Sequence, residues 1–373
     1  MIYLDNAATT YPKPGCVYEA LDYANRNQAF NAGRGSYKYS KEAFQKIEEV
    51  RIKISEMAES DPNQVVFTAS ATDAIGDIIN GLDLKENDNV YISPFEHNAV
   101  VRSLFLLQKK TSIHIHVLDF DKESWEPDLD SIANNFAVNR PTLVICSHIS
   151  NVTGYILPYL QIFRMAKQYE AITLLDSAQS FGSVQMKKDY VDFMIFDGHK
   201  ALYSSFGIGG YVNSGNILLN QVKAGGTGSD SLNVNMPSGP IGFEPGTHNV
   251  VAFYGLGQSL EWLKTVNVYE KVKELTEYMI TRLTKINGIT IYYPESSLIF
   301  GIVSFNVYGY EADEVGSILF EEFDICLRTG YHCAPLIHDF IGSQPYKGTV
   351  RASIGYFNTK SDIDELCDAL CSL

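Results

Sequence analysis

Seven short runs between about residue 60 and residue 250 are apolar and rich in β-branched residues, and segments of helical periodicity separate many of them. The strand-like runs are QVVFTAS, NVYIS, IHIHVLDF, TLVICSHIS, AITLLDSA, DFMIF and GIGGYVN. The helix-like segments are TDAIGDIINGL, NAVVRSLFLLQ and YLQIFRMAKQYE. This alternation predicts βαβ units, and therefore an α/β fold with a largely parallel sheet and helices on both faces. Ligands of such sheets bind beyond the carboxyl ends of the strands.

The pattern changes after about residue 255. An amphipathic helical region from roughly Leu256 to Ile286 leads into strand-like ITIYYP and IVSFNV, followed by the helical segments DEVGSILFEEF and SDIDELCDALCSL. We expect Ser361 to cap the terminal helix. The sequence thus predicts a large domain over 15–255 and a smaller α+β domain formed by 1–14 and 256–373. A cleft between two domains is a usual place for a cofactor.

Composition narrows the classes of protein. The chain has 373 residues and a net charge of -15, which argues against nucleic acid as a partner because its phosphates require a basic surface. The start, MIYLDNAATT, lacks a secretory signal, and no apolar run is long enough to span a membrane. The six cysteines form no CxxC pattern, so we predict reduced thiols, a cytoplasmic protein and no metal site.

A lysine and a carboxylate follow two of the predicted strands. VDFMIFD is closely followed by Lys200, and AITLLD ends at Asp176. Pyridoxal phosphate (PLP) requires this pair, because a lysine forms a Schiff base with its aldehyde and a carboxylate keeps its pyridine nitrogen protonated. Taken alone, a lysine after a strand is usually a solvated surface residue, and a strand-terminal aspartate more often caps a helix.

Other strand ends carry candidate ligands. Ala71 and Thr72 open a helix whose backbone N–H groups would face an anion such as phosphate, although a plain N-cap is commoner. His97 could stack on a flat cofactor or could be an ordinary loop histidine. Gln179 could donate to a phenolate oxygen of the ring. Asn151 could contact the cofactor or a substrate carboxylate, or could form an Asx-turn.

Together these motifs carry a family resemblance. The segments are YLDNAATTYPKP, HISNVTG, LLDSAQ, FDGHK, RTGYHCAP and TVRASIGYFNT. In this order they resemble the cysteine desulfurase branch of the class V, fold-type I PLP-dependent transferases, over Tyr3 to Thr359. The resemblance implies a large domain with a mainly parallel seven-stranded sheet and a smaller α+β domain. The compact RTGxHCAP form is similar to group II desulfurases and selenocysteine lyases.

The resemblance also implies how the cofactor ring would be held. Lys200 would be the Schiff-base lysine, and Asp176 would pair with the pyridine nitrogen. Gln179 would contact the phenolate oxygen, and His97 would stack on the ring and take part in catalysis.

The resemblance implies the phosphate contacts as well. Thr72 and His199 would hold the phosphate, and Ala71, which stands where a threonine is common, would keep a backbone amide there. Thr247, in FEPGTHN, would reach the phosphate of the partner subunit's cofactor. That last role implies a homodimer.

The substrate residues follow from the same resemblance. Arg351 would clamp the substrate carboxylate, a task that a bidentate guanidinium also suits on chemical grounds. Asn151 and Arg34 are the other predicted substrate-binding residues. Cys333 would attack the sulfur of L-cysteine, giving alanine and an enzyme persulfide, which requires an exposed and mobile thiol. His332 could assist its deprotonation.

FDGHK departs from the family pattern at Asp197, where the family usually has Ser or Thr to bind the phosphate. A carboxylate repels a phosphate dianion unless it turns away, is protonated or is bridged by a cation. We therefore place Asp197 outside the site and expect its side chain to point elsewhere.

Several alternatives to a cysteine desulfurase stay open. The chain could be a selenocysteine lyase acting on L-selenocysteine, or a class V transferase acting on another amino acid. It could also be a non-catalytic relative in a sulfur-transfer complex, which Asp197 favours and which the intact Lys200, Asp176, Cys333 and Arg351 oppose. A sulfur-acceptor protein would be a further partner of a desulfurase.

Overall fold

The computed structural model describes residues 1–33, 35–228, 232–294 and 299–373. Within these ranges the strands are β1 (Ile2–Tyr3), β2 (Val65–Thr68), β3 (Asn89–Ile92), β4 (His114–Val117), β5 (Pro141–Ser147), β6 (Ile172–Asp176), β7 (Phe193–Asp197), β8 (Gly209–Asn213), β9 (Ile289–Ile291), β10 (Ile302–Val307), β11 (Ile325–Cys326), β12 (Arg328–Gly330) and β13 (Thr349–Ser353). The α-helices are α1 (Gly15–Asn27), α2 (Lys38–Met57), α3 (Ala71–Gly81), α4 (Asn98–Thr111), α5 (Leu129–Val138), α6 (Tyr159–Lys167), α7 (Val250–Thr265), α8 (Val268–Leu283), α9 (Ala312–Phe323), α10 (Ile337–Ile341) and α11 (Lys360–Leu370).

The central sheet has seven strands in the order β2-β8-β7-β6-β5-β3-β4. These strands are the seven apolar runs of the sequence, and every neighbouring pair is parallel except the two pairs that include β8. The prediction of an α/β fold with a mainly parallel seven-stranded sheet is therefore confirmed. The carboxyl ends of β5, β6 and β7 lie side by side, since Ser147 pairs with Asp176 and Asp176 pairs with Ile195.

Alternate residues of the central strands face two separate apolar cores. Val144 and Cys146 of β5 lie in the core that includes residues of α2, α6 and α7. Leu143 and Ile145 lie in the core that includes residues of α3 and α4. A strand that is buried on both faces is a continuous apolar run, and polar side chains are then found at its ends.

The antiparallel strand β8 lies against the start of α3. Gly209 pairs with Asp197 at the end of β7. A Cβ atom at Gly209 would lie only 2.9 Å from the backbone nitrogen of Ala71. Because glycine has no Cβ, β8 and the first turn of α3 can approach each other closely beside the end of β7.

A second, antiparallel sheet has the order β12-β13-β10-β9. Its core is shared with residues of α8, α9 and α11, and β1 joins this part of the chain by pairing in parallel with β11. The division into domains over 15–255 and over 1–14 with 256–373 stays a prediction. Residue 256 lies inside α7, whose apolar face belongs to the core of the central sheet.

Two local predictions were wrong. The helical region from Leu256 to Ile286 is two helices, because Asn267 begins α8 by accepting a hydrogen bond from the backbone N–H of Glu270 at 3.1 Å. The terminal helix is capped by Thr359 rather than Ser361, and the carboxylate of Asp362 accepts the Thr359 N–H in return. None of the helices in the described ranges has the length and apolar character that crossing a membrane requires.

Candidate active site at the carboxyl ends of the strands

One cavity at the carboxyl ends of the central strands brings together most of the predicted site. The predicted residues that line it are Ala71, Thr72, His97, Asn151, Asp176, Gln179 and Lys200. Residues far apart in sequence therefore meet because their strands are neighbours in the sheet.

Asp176 is the buried carboxylate of this cavity. It ends β6, and its Oδ1 accepts a hydrogen bond from the backbone N–H of Ala178 at 3.0 Å. Burial raises the pKa of Asp176, whereas the charge of Lys200 acts in the opposite direction. A cation placed against its other oxygen would stabilise the ionised form, and a protonated pyridine nitrogen is such a cation.

His97 is the N-cap of α4, and its ring has a defined tautomer. The Nδ1 atom accepts a hydrogen bond from the backbone N–H of Ala99 at 3.0 Å. Burial is the main cause that lowers the pKa of His97 to about 4, and the charges of Lys200, Arg328 and Arg351 act in the same direction. The ring is therefore neutral near pH 7, with Nε2 carrying the proton, which suits stacking against a cationic ring.

Gln179 and Asn151 tie other parts of the chain to the cavity. The Nε2 of Gln179 donates to the carbonyl of Ala7 at 2.9 Å, so the side chain joins the N-terminal segment to the site. The Nδ2 of Asn151 donates to the carbonyl of His332 at 2.7 Å. Asn151 therefore contacts the segment that carries Cys333, in contrast to the local Asx-turn that was its alternative.

Arg351 is fully buried on β13 and oriented from two sides. Its Nη1 donates to the carbonyl of Asn151 and its Nη2 to Oδ1 of Asp5, both at 2.7 Å. The Nε atom is buried without a hydrogen-bond partner among the described residues. Burial lowers the pKa of Arg351, and the charge of Asp5 opposes that shift. The unpartnered Nε–H leaves this guanidinium able to bind a further anion.

Cys333 lies close to Arg328, the cross-strand neighbour of Arg351. Its half-buried thiol has its Sγ 3.2 Å from Nη2 of Arg328, which pairs with Arg351 across β12 and β13. His332 and Cys333 both have positive φ, at 47° and 57°, a conformation that non-glycine residues rarely adopt. The carbonyl of Cys333 accepts the backbone N–H of Asn98 at 2.6 Å, so the loop is held beside α4.

The expectation that His332 assists Cys333 is wrong. Its Nε2 contacts the carbonyl and hydroxyl oxygens of Thr349 at 3.0 and 2.9 Å, and the side chain is buried. Burial holds the pKa of His332 well below its usual range, and the Arg351 charge adds to that effect. A buried histidine whose pKa is far below neutral is a weak base.

The expectation that Asp197 points away from the site is also wrong. Its Oδ2 lies 3.4 Å from the backbone nitrogen of Ala71, 3.4 Å from Nε2 of His199 and 3.9 Å from Nζ of Lys200. Its Oδ1 is buried without a partner in the described part of the chain. Burial acts to raise the pKa of Asp197, but His199, Lys200 and the Ala71 N–H outweigh it and the pKa falls below its usual value.

The predicted residue Thr247 lies away from this cavity. Thr247 lines a separate cavity together with Gly207 and His248. Its segment is anchored by Glu244, which accepts two hydrogen bonds from Arg51 at 2.7 and 2.9 Å and contacts His248 at 2.9 Å. A role toward a partner subunit stays a prediction for Thr247. Arg34 lies outside the described residues.

Two basic residues of the site were missed, although both lie in motifs that the sequence displays. Arg328 opens RTGYHCAP, and Lys13 lies in YLDNAATTYPKP. The Nζ of Lys13 donates to the carbonyl of His199 at 2.8 Å and to the Thr10 hydroxyl at 2.7 Å. Burial is the main cause that lowers the pKa of Lys13 to about 7, and the charge of Asp197 opposes it. The only indication of Arg328 and Lys13 in the sequence is their position inside these two motifs.

The two ends of the cavity differ in how well they suit PLP. Lys200, Asp176, His97 and Gln179 offer an amine, a carboxylate, a flat neutral ring and an amide around one space, which fits the pyridine ring and its aldehyde. The start of α3 offers backbone N–H groups to a phosphate, but a carboxylate already lies there. The described residues contain no group of three or more His, Cys, Asp or Glu side chains that could hold a metal ion.

Comparisons with known sequences show which proteins this chain is similar to. The family model for aminotransferase class-V matches residues 2–366. The probable cysteine desulfurase of Methanothermobacter thermautotrophicus is 32% identical, over 99% of this chain and 94% of that protein. The cysteine desulfurase of Wigglesworthia glossinidia brevipalpis is 30% identical, over 99% of this chain and 92% of that protein.

Solved structures show the same similarity. The apo structure of cysteine desulfurase from Thermococcus onnurineus NA1 superposes with a TM-score of 0.91 at 26% identity, covering 100% of this chain and 94% of that chain. A C-DES variant with glycine covalently linked to its PLP cofactor superposes with a TM-score of 0.84, covering 100% of this chain and 96% of that chain. At 21% identity, this second likeness concerns the fold alone.

Proposed function

Because the chain belongs to the class V aminotransferase family, we propose that it is a PLP-dependent cysteine desulfurase that converts L-cysteine to L-alanine and takes the sulfur onto Cys333. One observation carries the proposal: the Cys333 loop is fastened directly to the cavity of Lys200. Asn98, which follows His97, donates to the carbonyl of Cys333, and Asn151 donates to the carbonyl of His332. These contacts support a position of the Cys333 loop beside the space in which the substrate would bind.

Each residue around the cofactor has a distinct task in this proposal. When bound, PLP supplies an electron sink for the bonds that are broken in the substrate. Lys200 would attach the cofactor, Asp176 would pair with its ring nitrogen, and His97 would stack on the ring. The free amine of Lys200 would be the basic group beside the ring that moves the substrate proton.

The substrate carboxylate and sulfur would be handled by residues of the second sheet and its loop. Arg351 binds the carboxylate through its guanidinium, which Asp5 holds in orientation. Sγ of Cys333 forms a bond to the substrate sulfur as the carbon–sulfur bond breaks. The electron pair of that bond stays with the carbon skeleton, which takes up a proton and leaves as alanine. Cysteine and one enzyme thiol are thus converted to alanine and one enzyme persulfide.

The decisive experiment measures both products together. Purified PLP-loaded protein is mixed with one equivalent of L-cysteine, alanine is quantified, and the intact protein and its peptides are weighed. We expect one alanine and one additional sulfur atom on Cys333. In Cys333→Ser the added sulfur should be lost, whereas the control Cys371→Ser, which changes an exposed thiol of α11's end, should retain it. Alanine formation without sulfur on Cys333 would overturn the persulfide mechanism.

The same variants separate the desulfurase from the lyase alternative. L-selenocysteine can release its selenium without a protein thiol in some relatives of this kind. If Cys333→Ser processes L-selenocysteine at the wild-type rate and wild-type protein releases no sulfur from L-cysteine, the chain is a selenocysteine lyase. Loss of both activities in that variant favours the desulfurase.

We further propose a homodimer that acts in the cytoplasm and passes its sulfur to an acceptor protein. Leu218, Leu232 and Val234 lie between β8 and α7 and are at least 90% exposed in the single chain, so a second copy is one surface that would cover them. All six cysteines are free, and a reducing compartment would keep Cys333 available. Sedimentation of the PLP-loaded protein tests the dimer, and a monomer at micromolar concentration would contradict it.

A further inference from the structure

The start of α3 is an anion site that the protein itself fills. Ser70 caps the helix, and the next backbone nitrogen, that of Ala71, faces Oδ2 of Asp197 at 3.4 Å. The N-terminus of a helix carries a partial positive charge and attracts anions. The absence of a side chain at Gly209 lets the end of β7 come this close.

The carboxylate at this place is buried and only partly satisfied. Asp197 is 4% exposed, and its Oδ1 has no hydrogen-bond partner in the described part of the chain. Buried carboxylate oxygens are nearly always hydrogen-bonded, so this unpartnered oxygen calls for a donor. A protonated phosphate oxygen is such a donor.

Charged groups face Asp197 from every side. The basic groups are His199 and Lys200 on its own loop and Lys13 in the N-terminal segment. The acidic group is Asp176 at the end of the neighbouring strand β6. α3 contributes the Ala71 N–H, and β8 contributes only Gly209. A phosphate bound at the start of α3 would therefore share these basic groups with Asp197.

We infer that Asp197 and the cofactor phosphate share one proton. Above about pH 6, neither free PLP nor the free protein carries this proton, so binding of the cofactor takes up one proton from solvent. Two anions that meet at one helix N-terminus repel each other unless a proton lies between them. The proton would come from solvent and would be held between the carboxylate of Asp197 and the phosphate. Asp197 is therefore a residue that selects the protonation state of the cofactor.

The sign of the pH dependence follows from this proton uptake. A binding step that takes up one proton weakens about tenfold for each unit of pH increase. Below about pH 6 the free phosphate already carries that proton, and the dependence ends. Lys200 must also lose a proton to bind any aldehyde, but that cost is the same for a cofactor analogue without phosphate.

The experiment compares PLP with 5′-deoxypyridoxal, which keeps the ring and the aldehyde but lacks the phosphate. Cofactor-free protein is titrated with each compound between pH 5.5 and 9, and the bound form is followed by absorbance. For the wild type, we expect the affinity ratio of PLP to 5′-deoxypyridoxal to be flat below about pH 6 and to fall about tenfold per unit above it.

Asp197→Asn keeps the shape of the side chain and removes the charge. We expect its ratio to be higher than that of the wild type above pH 7 and nearly independent of pH there. Asp73→Asn is the matched control, because Asp73 lies in the first turn of the same helix but pairs with Lys223 outside the cavity. This control should keep the slope of the wild type.

Each outcome decides the inference. A flat ratio in the wild type above pH 7, or an unchanged slope in Asp197→Asn, overturns it. If Asp197→Asn does not fold, Asp197→Ser is measured in its place and should likewise lose the slope of the wild type. Because no amino-acid substrate is present, the result is independent of whether Cys333 forms a persulfide.

Discussion

The two ends of the cavity beside Lys200 differ in the role of their buried carboxylate. At the ring end, the buried carboxylate of Asp176 has one oxygen fixed by Ala178 and faces the space in which a cation would bind. At the phosphate end, the positive start of α3 already faces the carboxylate of Asp197. At the first end the cofactor would bring a cation to a buried carboxylate, whereas at the second end the chain itself places an anion where the phosphate would bind. Removing a carboxylate should consequently harm the enzyme at one end and improve cofactor binding at the other.

The largest expected effect comes from the amine that lies between the two ends. Lys200→Ala removes the covalent attachment, and we expect alanine formation to fall by roughly 10³-fold or more. Borohydride should fix PLP on the wild type and leave this variant unlabelled, as measured by intact mass. Lys223→Ala, which removes a lysine paired with Asp73 and Asp77, should be labelled as fully as the wild type. Labelling of Lys200→Ala at another lysine would contradict the assignment.

Asp176→Asn tests the ring end directly. With the carboxylate replaced by a neutral amide, the ring nitrogen is no longer kept protonated, and we expect kcat to fall roughly 10²-fold or more. PLP affinity should also fall, because a buried charge pair has been removed. The same chemical change at Asp197 is expected to tighten PLP binding, so Asp176→Asn and Asp197→Asn should change the PLP affinity in opposite directions. Equal signs in equilibrium titrations would remove the contrast between the two ends.

Arg351→Lys should have an intermediate effect that is confined to the substrate. The lysine keeps the charge but cannot form a two-point contact with a carboxylate, so we expect KM for L-cysteine to rise roughly 10- to 100-fold. PLP absorbance and affinity should stay as in the wild type. Steady-state kinetics with a PLP titration provide both values. A lower PLP affinity with unchanged KM would place Arg351 at the cofactor instead.

The smallest expected effects come from His97, whose ring and cap can be changed separately. His97→Asn keeps a side-chain acceptor for the Ala99 N–H, so it should unfold like the wild type but lose the stacked ring. His97→Phe keeps an aromatic ring and loses the cap, which should cost about 1 kcal/mol of the free energy of unfolding. Denaturant unfolding and the PLP absorbance maximum distinguish them. Identical stability in both variants would contradict the capping role.

The sequence was sufficient for the ring end because that end depends on strand order. Apolar runs are buried strands, parallel neighbours end at the same edge, and Asp176 and Lys200 are therefore brought to one place by the fold itself. The phosphate end depends on the orientation of one side chain. Asp197 was predicted to turn away because of phosphate repulsion, but its carboxylate instead faces Ala71, His199 and Lys200.

Other errors have the same local origin. Periodicity could not show that the helical pattern after Leu256 is interrupted, because the break depends on the single cap made by Asn267. Nor could a motif show which way His332 faces, since its partner Thr349 lies on another strand. The resemblance located the Cys333 loop, while the contact of Arg328 with the sulfur required the pairing of β12 with β13.

The hydrogen bonds of Asn151 couple the position of Arg351 to the position of the Cys333 loop, which could otherwise vary independently. Its carbonyl accepts from Arg351 and its side chain donates to the carbonyl of His332, so a single residue connects the proposed carboxylate clamp with the backbone next to the proposed nucleophile. The clamp and this backbone therefore cannot move apart without breaking one of the two hydrogen bonds. A longer substrate could not be accommodated by widening the pocket alone, because displacing the clamp would also displace the sulfur acceptor. Engineering for a new substrate would have to replace Arg351, Asn151 and the Cys333 loop as one unit.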